Sequence, residues 1–276
     1  MKKLETLRQL QQVQTSIYKD LIEECKKNDI KIYLIAGTLL GAVRHGGFIP
    51  WDDDLDVCMS RPDYNRLLEV TKGKIGDKCR IIDPASETDF KGCIPLVVYE
   101  NSKLYSEQFR EAEDLQIGIS IFVFDGVPSS ALGRFIYFKK MYFLRAEHAL
   151  CRANFKNVNT KAAKIVGPVL SPFFNTKSVW KYKKKILKFQ QKYPYEYSEL
   201  VCTNVDCGSS REVLSKTRFE TPVKMSFEGI DCQTFSCYKE FLTNYYGDYM
   251  TPPPEAAQKP KHSVTAEIED GFNFDL

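Results

Sequence analysis

The sequence predicts an α/β (α+β) fold, a mixed sheet flanked by helices and extended by a basic helical subdomain. Three observations predict it. Residues 31–57 read as strand, glycine turn, short helix, loop and second strand. From 79 to 124, short apolar runs alternate with turn residues, as in the antiparallel part of a sheet. From 131 to 192, basic and aromatic residues recur at helical spacing. A hydrophobic fraction of 43% in 276 residues suffices for a substantial core. The chain divides into a core over 1–130, a basic helical insertion over 131–200, and a C-terminal part over 201–276 that completes the site.

Taken in order, Leu4, Leu7, Leu10, Val13, Ile17, Leu21 and Ile22 trace one face of an amphipathic helix over 4–28. Lys31 to Ala36 is a buried strand, Gly37-Thr38 a tight turn, and Leu39 to Arg44 a short helix. Arg44 and His45 lead into a loop of Gly46-Gly47 that Pro50 stiffens. The next strand begins within Trp51-Asp52-Asp53-Asp54-Leu55-Asp56-Val57. Strand alternation would set Asp52, Asp54 and Asp56 on one face and Asp53 on the other. A helix follows Met59, with Ser60 as N-cap, Pro62 near its first position and Asp63 at the positive end of its dipole. The last ten residues, Glu267 to Leu276, read as an acidic, mobile tail.

The acids carry the chemistry. Three carboxylates on one face repel unless a cation neutralises them, and an all-oxygen set suits Mg²⁺ or Mn²⁺. A glycine lets backbone approach a phosphate, and the first turn of the following helix favours an anion. Gly37, Thr38, Arg44 and His45 are therefore candidate phosphate or nucleotide contacts. Asp54 and Asp56 are the candidate metal ligands, and Asp52 is a supporting acid, base or further ligand. A purely structural acid cluster is disfavoured, because buried unpaired charge is costly.

The order hydrophobic-Gly-Thr, then Asp-x-Asp on the next strand, resembles the nucleotidyltransferase superfamily. The run from Gly37 to Val57, GTLLGAVRHGGFIPWDDDLDV, resembles its LicD branch. Further similarity covers roughly residues 30–70, Ile117 to Pro128, and Tyr246 to Thr251 with Pro252 to Pro254. Bacterial phosphocholine transferases and fukutin-related ribitol-phosphate transferases belong to that branch. The resemblance implies a nucleotidyltransferase-fold sheet and Mg²⁺-dependent attack of a glycan hydroxyl on a CDP-activated alcohol, with CMP leaving. It also marks Asp248 and His262 as candidate site residues.

One departure stands out. The family carries a third acid in a run like Ile-Asp-Ile-Phe-Pro-Leu-Asp, and here Ile119-Ser120-Ile121-Phe122-Val123-Phe124-Asp125 places Ser120 at that position. Three outcomes follow: Asp52 compensates, two acids hold a single ion, or activity is weakened or lost. Asp125 is expected to cap the turn through Pro128.

Between Ala131 and Lys192 fifteen lysines and arginines face one acid, Glu147, whereas the whole chain carries only +3. Interleaved aromatics suit an anionic membrane surface, which fits a lipid-linked glycan acceptor. The alternative is a solvated lysine face over an aromatic core. No nucleic-acid reading motif accompanies the charge. No apolar run is long enough for a membrane span, and the N-terminus lacks a signal-peptide core. The expected location is the cytoplasm, free or peripheral on the inner membrane face. Nine cysteines, an odd number, argue for reduced buried thiols. Cys202 with Cys207 and Cys232 with Cys237 have spacing at the edge of what a zinc site uses. His148 is expected to be structural. No Walker A or dinucleotide fingerprint is present.

The sequence thus points to a LicD-like transferase that moves a phospho-alcohol to a cell-surface glycan, teichoic-acid, capsule or LPS precursor. One alternative is an impaired homologue that binds nucleotide or glycan as a scaffold. Another is a nucleotidyltransferase acting on a small molecule and releasing pyrophosphate.

Overall fold

The computed structural model describes residues 1–106, 108, 109, 113, 115–155, 161–203, 210–260 and 264–274. The strands, in chain order, are β1 (Lys2–Lys3), β2 (Tyr33–Leu34), β3 (Asp56–Ser60), β4 (Lys74–Ile75), β5 (Cys79–Ile82), β6 (Leu96–Tyr99) and β7 (Ser102–Ser106). They continue with β8 (Gly118–Gly126), β9 (Leu200–Thr203), β10 (Leu214–Ser215), β11 (Pro222–Phe227), β12 (Ile230–Phe235) and β13 (Val264–Ile268). The helices are α1 (Leu7–Lys27), α2 (Ala36–His45), α3 (Arg61–Thr71), α4 (Ala131–Arg152), α5 (Lys161–Leu170), α6 (Val179–Gln190), α7 (Lys216–Phe219) and α8 (Tyr238–Tyr246).

β8 organises the molecule. β3 runs parallel along one edge, pairing Asp56 with Ser120 and Ser60 with Phe124. β6 and then β9 run antiparallel along the other. β5 and β4 extend the sheet beyond β6, β10 extends it beyond β9, and β2 pairs antiparallel with β3. The result is the mixed sheet flanked by helices that the sequence predicts. β3 and β8 read as apolar runs because both faces are covered: Val57, Cys58, Met59, Ile119, Ile121 and Phe124 are all buried.

α1 starts at Leu7 because Thr6 and Gln9 form a capping box. It buries Val13, Ile17 and Leu21 in the core. α3 begins as expected: the Ser60 hydroxyl accepts the Asp63 N–H, and Pro62 lies in the first turn. The β11–β12 hairpin turns at Glu228 and Gly229, both with positive φ, as a two-residue hairpin requires. Its tip is tied to the glycine loop, since the Glu228 carboxylate accepts the Phe48 N–H at 2.9 Å and pairs with Arg8 at 2.6 Å. A Cβ on Gly47 would press on that carboxylate and push it off the Phe48 N–H.

Four expectations need correction. The strand predicted from Lys31 to Ala36 is only Tyr33–Leu34, and Gly37-Thr38 is the first turn of α2 rather than a separate turn. Ala36 takes a left-handed conformation, φ 52, and makes the corner itself. The strand predicted among the acids starts only at Asp56, and Asp52 to Leu55 form irregular backbone. Asp125 caps no turn: it lies within β8, buried, and binds Arg61 through two hydrogen bonds of 2.8 and 2.7 Å. The tail is not free either. β13 pairs with β1 and β7, and Phe272 and Phe274 pack on the core.

α4 and α6 pack on each other beside a small second cluster of Val127, Tyr137, Phe138 and Cys202. His148 on α4 contacts the Lys91 carbonyl at 2.9 Å, and desolvation pushes its ring down to about 4, so it is neutral. No described helix is long and apolar enough to cross a membrane.

Candidate active site

The irregular stretch before β3 is held from several sides. Gln11 on α1 donates to the Asp52 carbonyl at 2.9 Å and Gln14 to the Asp53 carbonyl at 3.0 Å. The Asp52 N–H binds the Ile49 carbonyl, and the Ser120 N–H on β8 binds the Leu55 carbonyl at 3.0 Å. The Asp56 N–H donates to the Thr38 hydroxyl oxygen at 2.8 Å. Thr38 thus couples the first turn of α2 to the first residue of β3, and its hydroxyl proton remains able to donate.

Inside this frame the ligand oxygens of Asp52, Asp53 and Asp54 lie within 4.8 Å of one another. Asp52, Asp53 and Asp56 are buried and Asp54 is half-buried. Asp53 therefore joins Asp52 and Asp54 instead of facing away. The alternation argument fails because there is no strand at 52–55 to impose it. Asp56 stands outside the group of three, at the head of β3 and in register with Ser120. Gly37 is the other constraint: a Cβ there would lie 2.5 Å from Asp52 Oδ2. The glycine is what lets the Asp52 carboxylate rest on the first turn of α2.

Tyr246, the last residue of α8, lies within the electrostatic field of the acids. Its phenol is raised well above the ordinary range by burial, then by Tyr245 and by the negative charge of Asp56, Asp52 and Asp54. All three acids singled out from the sequence thus act on one hydroxyl. Reading residues for chemistry missed Tyr246, although the block from Tyr246 to Thr251 carried the signal. Arg44 donates from Nη1 to the Tyr249 carbonyl at 2.9 Å, fixing this segment against the end of α2. His45 is exposed and edge-on to Trp51 at 6.3 Å, and desolvation followed by the Arg44 charge lowers its imidazole below the usual range. Asp248 is exposed and accepts a hydrogen bond from the Thr251 hydroxyl at 2.7 Å, a turn contact away from the acid group.

Next to the acids opens a cavity of about 350 Å³. Gln14, Asp53, Asp54 and Ser120 line it together with apolar Leu96, Leu104, Ile117, Phe90 and Phe109 and polar Gln108, Gln116 and Arg152. The Asp54 Oδ1 atom is buried without a hydrogen-bond partner. An all-oxygen group with an orphaned carboxylate oxygen fits a hard divalent cation and does not fit zinc. Among the described residues no cysteine joins a group of three ligating side chains. Cys202, Cys232 and Cys237 are buried free thiols, as expected; Cys207 and His262 lie outside the described residues.

Comparisons with known proteins give the family of the chain. The model of the LicD/FKTN/FKRP nucleotidyltransferase domain matches residues 29–128, the span holding α2, the acids and β8. The lipopolysaccharide cholinephosphotransferase LicD of Haemophilus influenzae is 32% identical over 274 residues, covering 97% of this chain and all of that protein. Two uncharacterized rickettsial proteins, RP689 of Rickettsia prowazekii and RT0683 of Rickettsia typhi, are 48% and 53% identical over 54 residues. Those residues make up 20% of this chain and 20% and 18% of theirs.

Proposed function

We propose, for a chain that belongs to the LicD/FKTN/FKRP family, transfer of a phosphocholine-type phospho-alcohol from a CDP-activated donor to a hydroxyl of a lipopolysaccharide or related cell-surface glycan precursor. The observation that carries this reading is the group of Asp52, Asp53 and Asp54, seated on Gly37 at the mouth of the cavity, with an orphaned Asp54 oxygen. The relative's name supports the reaction class, and the acid group beside the cavity supports the site.

In this reading Asp54 and Asp56 hold Mg²⁺ or Mn²⁺, with Asp52 in support. Bound there, the ion would neutralise the donor diphosphate and the charge gathering on departing CMP. The rest falls to the protein. Phosphoryl chemistry needs positioning more than covalent help. The first-turn amides of α2, which have no intrahelical acceptor, bind phosphate oxygens, and Arg44 and His45, in the last turn of the same helix, are further candidate contacts. The cavity houses the alcohol, and its apolar side chains keep water from the reacting phosphorus. Asp52 takes the proton of the attacking hydroxyl, and the Tyr246 phenol, kept protonated by burial and by the charge of the acids, faces their field.

The test is direct: pure protein, Mg²⁺, CDP-choline, CDP-ribitol or CDP-glycerol, and a glycan acceptor, followed for CMP release. Acceptor-dependent CMP supports the reading, and pyrophosphate release in a parallel reaction given CTP would replace it with nucleotidyl transfer. A second reading has one observation in its favour, Ser120 standing beside Asp56 where the family has an acid. If the protein binds CDP-alcohol but releases no CMP, it is a scaffold rather than a catalyst.

Gly37→Ala should separate seating from ligation. The new Cβ forces the Asp52 carboxylate away, and a misplacement of about 1 Å costs on the order of a hundredfold in rate. The overpacking costs only about 1–3 kcal/mol of stability, so the protein remains folded. A kcat within about threefold of wild type would show that Asp52 need not sit on the helix.

The acceptor reading extends to a lipid surface. α4 turns Leu132, Phe135, Ile136 and Phe143 to solvent along one stripe with Lys139, while Tyr137, Phe138 and Met141 are buried behind it. On α5 Ile165, Val166 and Val169 are exposed, and Phe173 beyond it is 82% exposed. α6 displays Lys181, Lys184, Lys185 and Lys188 along its outer face. Apolar stripes beside a lysine ridge suit the interface of an anionic membrane, whereas a second copy would meet like charge. Each lysine is worth about 1 kcal/mol at such a surface. Replacing all four by glutamine is therefore expected to release the protein from phosphatidylglycerol vesicles in a sedimentation assay. Equal sedimentation with neutral phosphatidylcholine vesicles would end the idea.

A further inference from the structure

We propose that Gln14 is an oxygen ligand of the divalent cation, supplying from α1 what Ser120 does not supply from β8; this rests on the cation reading above. Gln14 belongs to the buried face of α1 and is only 4% exposed. A buried amide has two ends to satisfy. Its Nε2 donates to the Asp53 carbonyl at 3.0 Å and to the Gly118 carbonyl at 3.5 Å. Those two acceptors decide which way round the amide lies, because turning it over would set oxygen against two oxygens. Oε1 is therefore fixed in direction, and it has no hydrogen-bond partner.

Among the described residues the other buried side-chain oxygen without a partner is Asp54 Oδ1. Gln14 and Asp54 line the same cavity, together with Asp53 and Ser120. Gly118, which receives the amide N–H, precedes Ser120 on β8 by one turn of the pleat. Two orphaned oxygens beside a group of carboxylates call for positive charge. A water molecule would satisfy hydrogen bonds but leave the repulsion among Asp52, Asp53 and Asp54. Amide oxygens are ordinary ligands of hard cations, and they add a ligand without adding further negative charge.

A structural role is the competing explanation, since the same amide steadies the acid stretch through its N–H groups. The two roles separate because they use opposite ends of the side chain. Gln14→Met keeps the length and removes both ends, whereas Gln14→Glu keeps the oxygen and removes the donor. The readouts are Mn²⁺ binding to the full chain by electron paramagnetic resonance, and Tm. Gln14→Met is expected to weaken Mn²⁺ roughly tenfold, and Gln14→Glu to bind at least as tightly as wild type. With Ser120→Asp in place, the loss from Gln14→Met should shrink to about threefold or less, because the two positions serve one ion.

Unchanged Mn²⁺ affinity in Gln14→Met overturns the proposal. So does a Gln14→Glu protein that loses Mn²⁺ as Gln14→Met does, for then the N–H end carries the effect. If Gln14→Met does not fold, the Gln14→Glu comparison decides alone. A wild-type protein that binds no Mn²⁺ fails the cation reading itself, a result distinct from losing Gln14 alone.

Discussion

Asp54→Asn is expected to lower phospho-alcohol transfer by about a hundred- to a thousandfold and at the same time to raise the Tm of the metal-free protein. Both effects come from one charge. The Asp54 oxygens lie within 4.8 Å of those of Asp52 and Asp53. Two unit charges at such a distance repel by roughly 3–4 kcal/mol at an effective dielectric near 20. Screening at the half-buried Asp54 leaves about 1 kcal/mol, or roughly 2–4 °C in Tm for a chain of this size. Asparagine keeps the shape and one oxygen, so the gain is not offset by a cavity. In the proposed reaction the same charge is needed, and preorganised groups facing developing charge are each worth about a hundred- to a thousandfold. A site that destabilises the resting protein in return for rate is the expected signature of function. Turnover within about tenfold of wild type would remove Asp54 from the cation site, and a fall in Tm would show that its charge is compensated by the protein itself. Asp56→Asn should show the same loss of rate. Because Asp56 is not in the group of three, its Tm should rise less.

How much of this could be read from the sequence depended on whether a residue's neighbours are local. Ser60, Pro62 and Asp63 announced α3, and its cap is as expected, because a helix start involves four consecutive residues. The apolar runs of β3 and β8 announced buried strands for a similar reason. Ser120 pairs with Asp56, and the resemblance had already put it at the family's third-acid position. The conformation of the acids themselves was not legible. Alternation assumes a strand, and the chain from Asp52 to Leu55 is shaped by Gln11, Gln14 and Thr38, which are distant in sequence. Gln11 and Gln14 were hidden in a different way. A helix with a clear apolar stripe draws attention to Val13 and Ile17, and two glutamines beside them read as boundary residues. The tail was missed because its acids masked an alternating pattern in which Ala266 and Ile268 are buried. Asp125 was read against the turn it precedes, when its partner is Arg61, sixty-four positions away.

That ion pair carries the largest expected effect on stability. Arg61 is the first residue of α3, immediately after β3, and Asp125 is the penultimate residue of β8. β3 and β8 are parallel neighbours, so their C-terminal ends lie side by side and the pair ties the start of α3 to the end of the central strand. The side chains are 16% and 3% exposed and meet through two hydrogen bonds of 2.8 and 2.7 Å. Such a pair gains little over an apolar one, because removing both charges from water costs nearly what their attraction returns. Breaking it is another matter. Asp125→Ala leaves a guanidinium buried without its partner, at the N-terminus of a helix whose dipole repels it. The expected loss is about 3–5 kcal/mol, or roughly 10 °C in Tm. Arg61→Met with Asp125→Leu should recover most of it, and the difference between the double and single variants measures the coupling. Asp125 is five positions from Ser120 along β8, so molecules of either variant that remain folded should turn over at nearly the wild-type rate. A loss of less than about 1 kcal/mol in Asp125→Ala would mean that water reaches the guanidinium in solution, and that the ends of β3 and β8 are held together by packing alone.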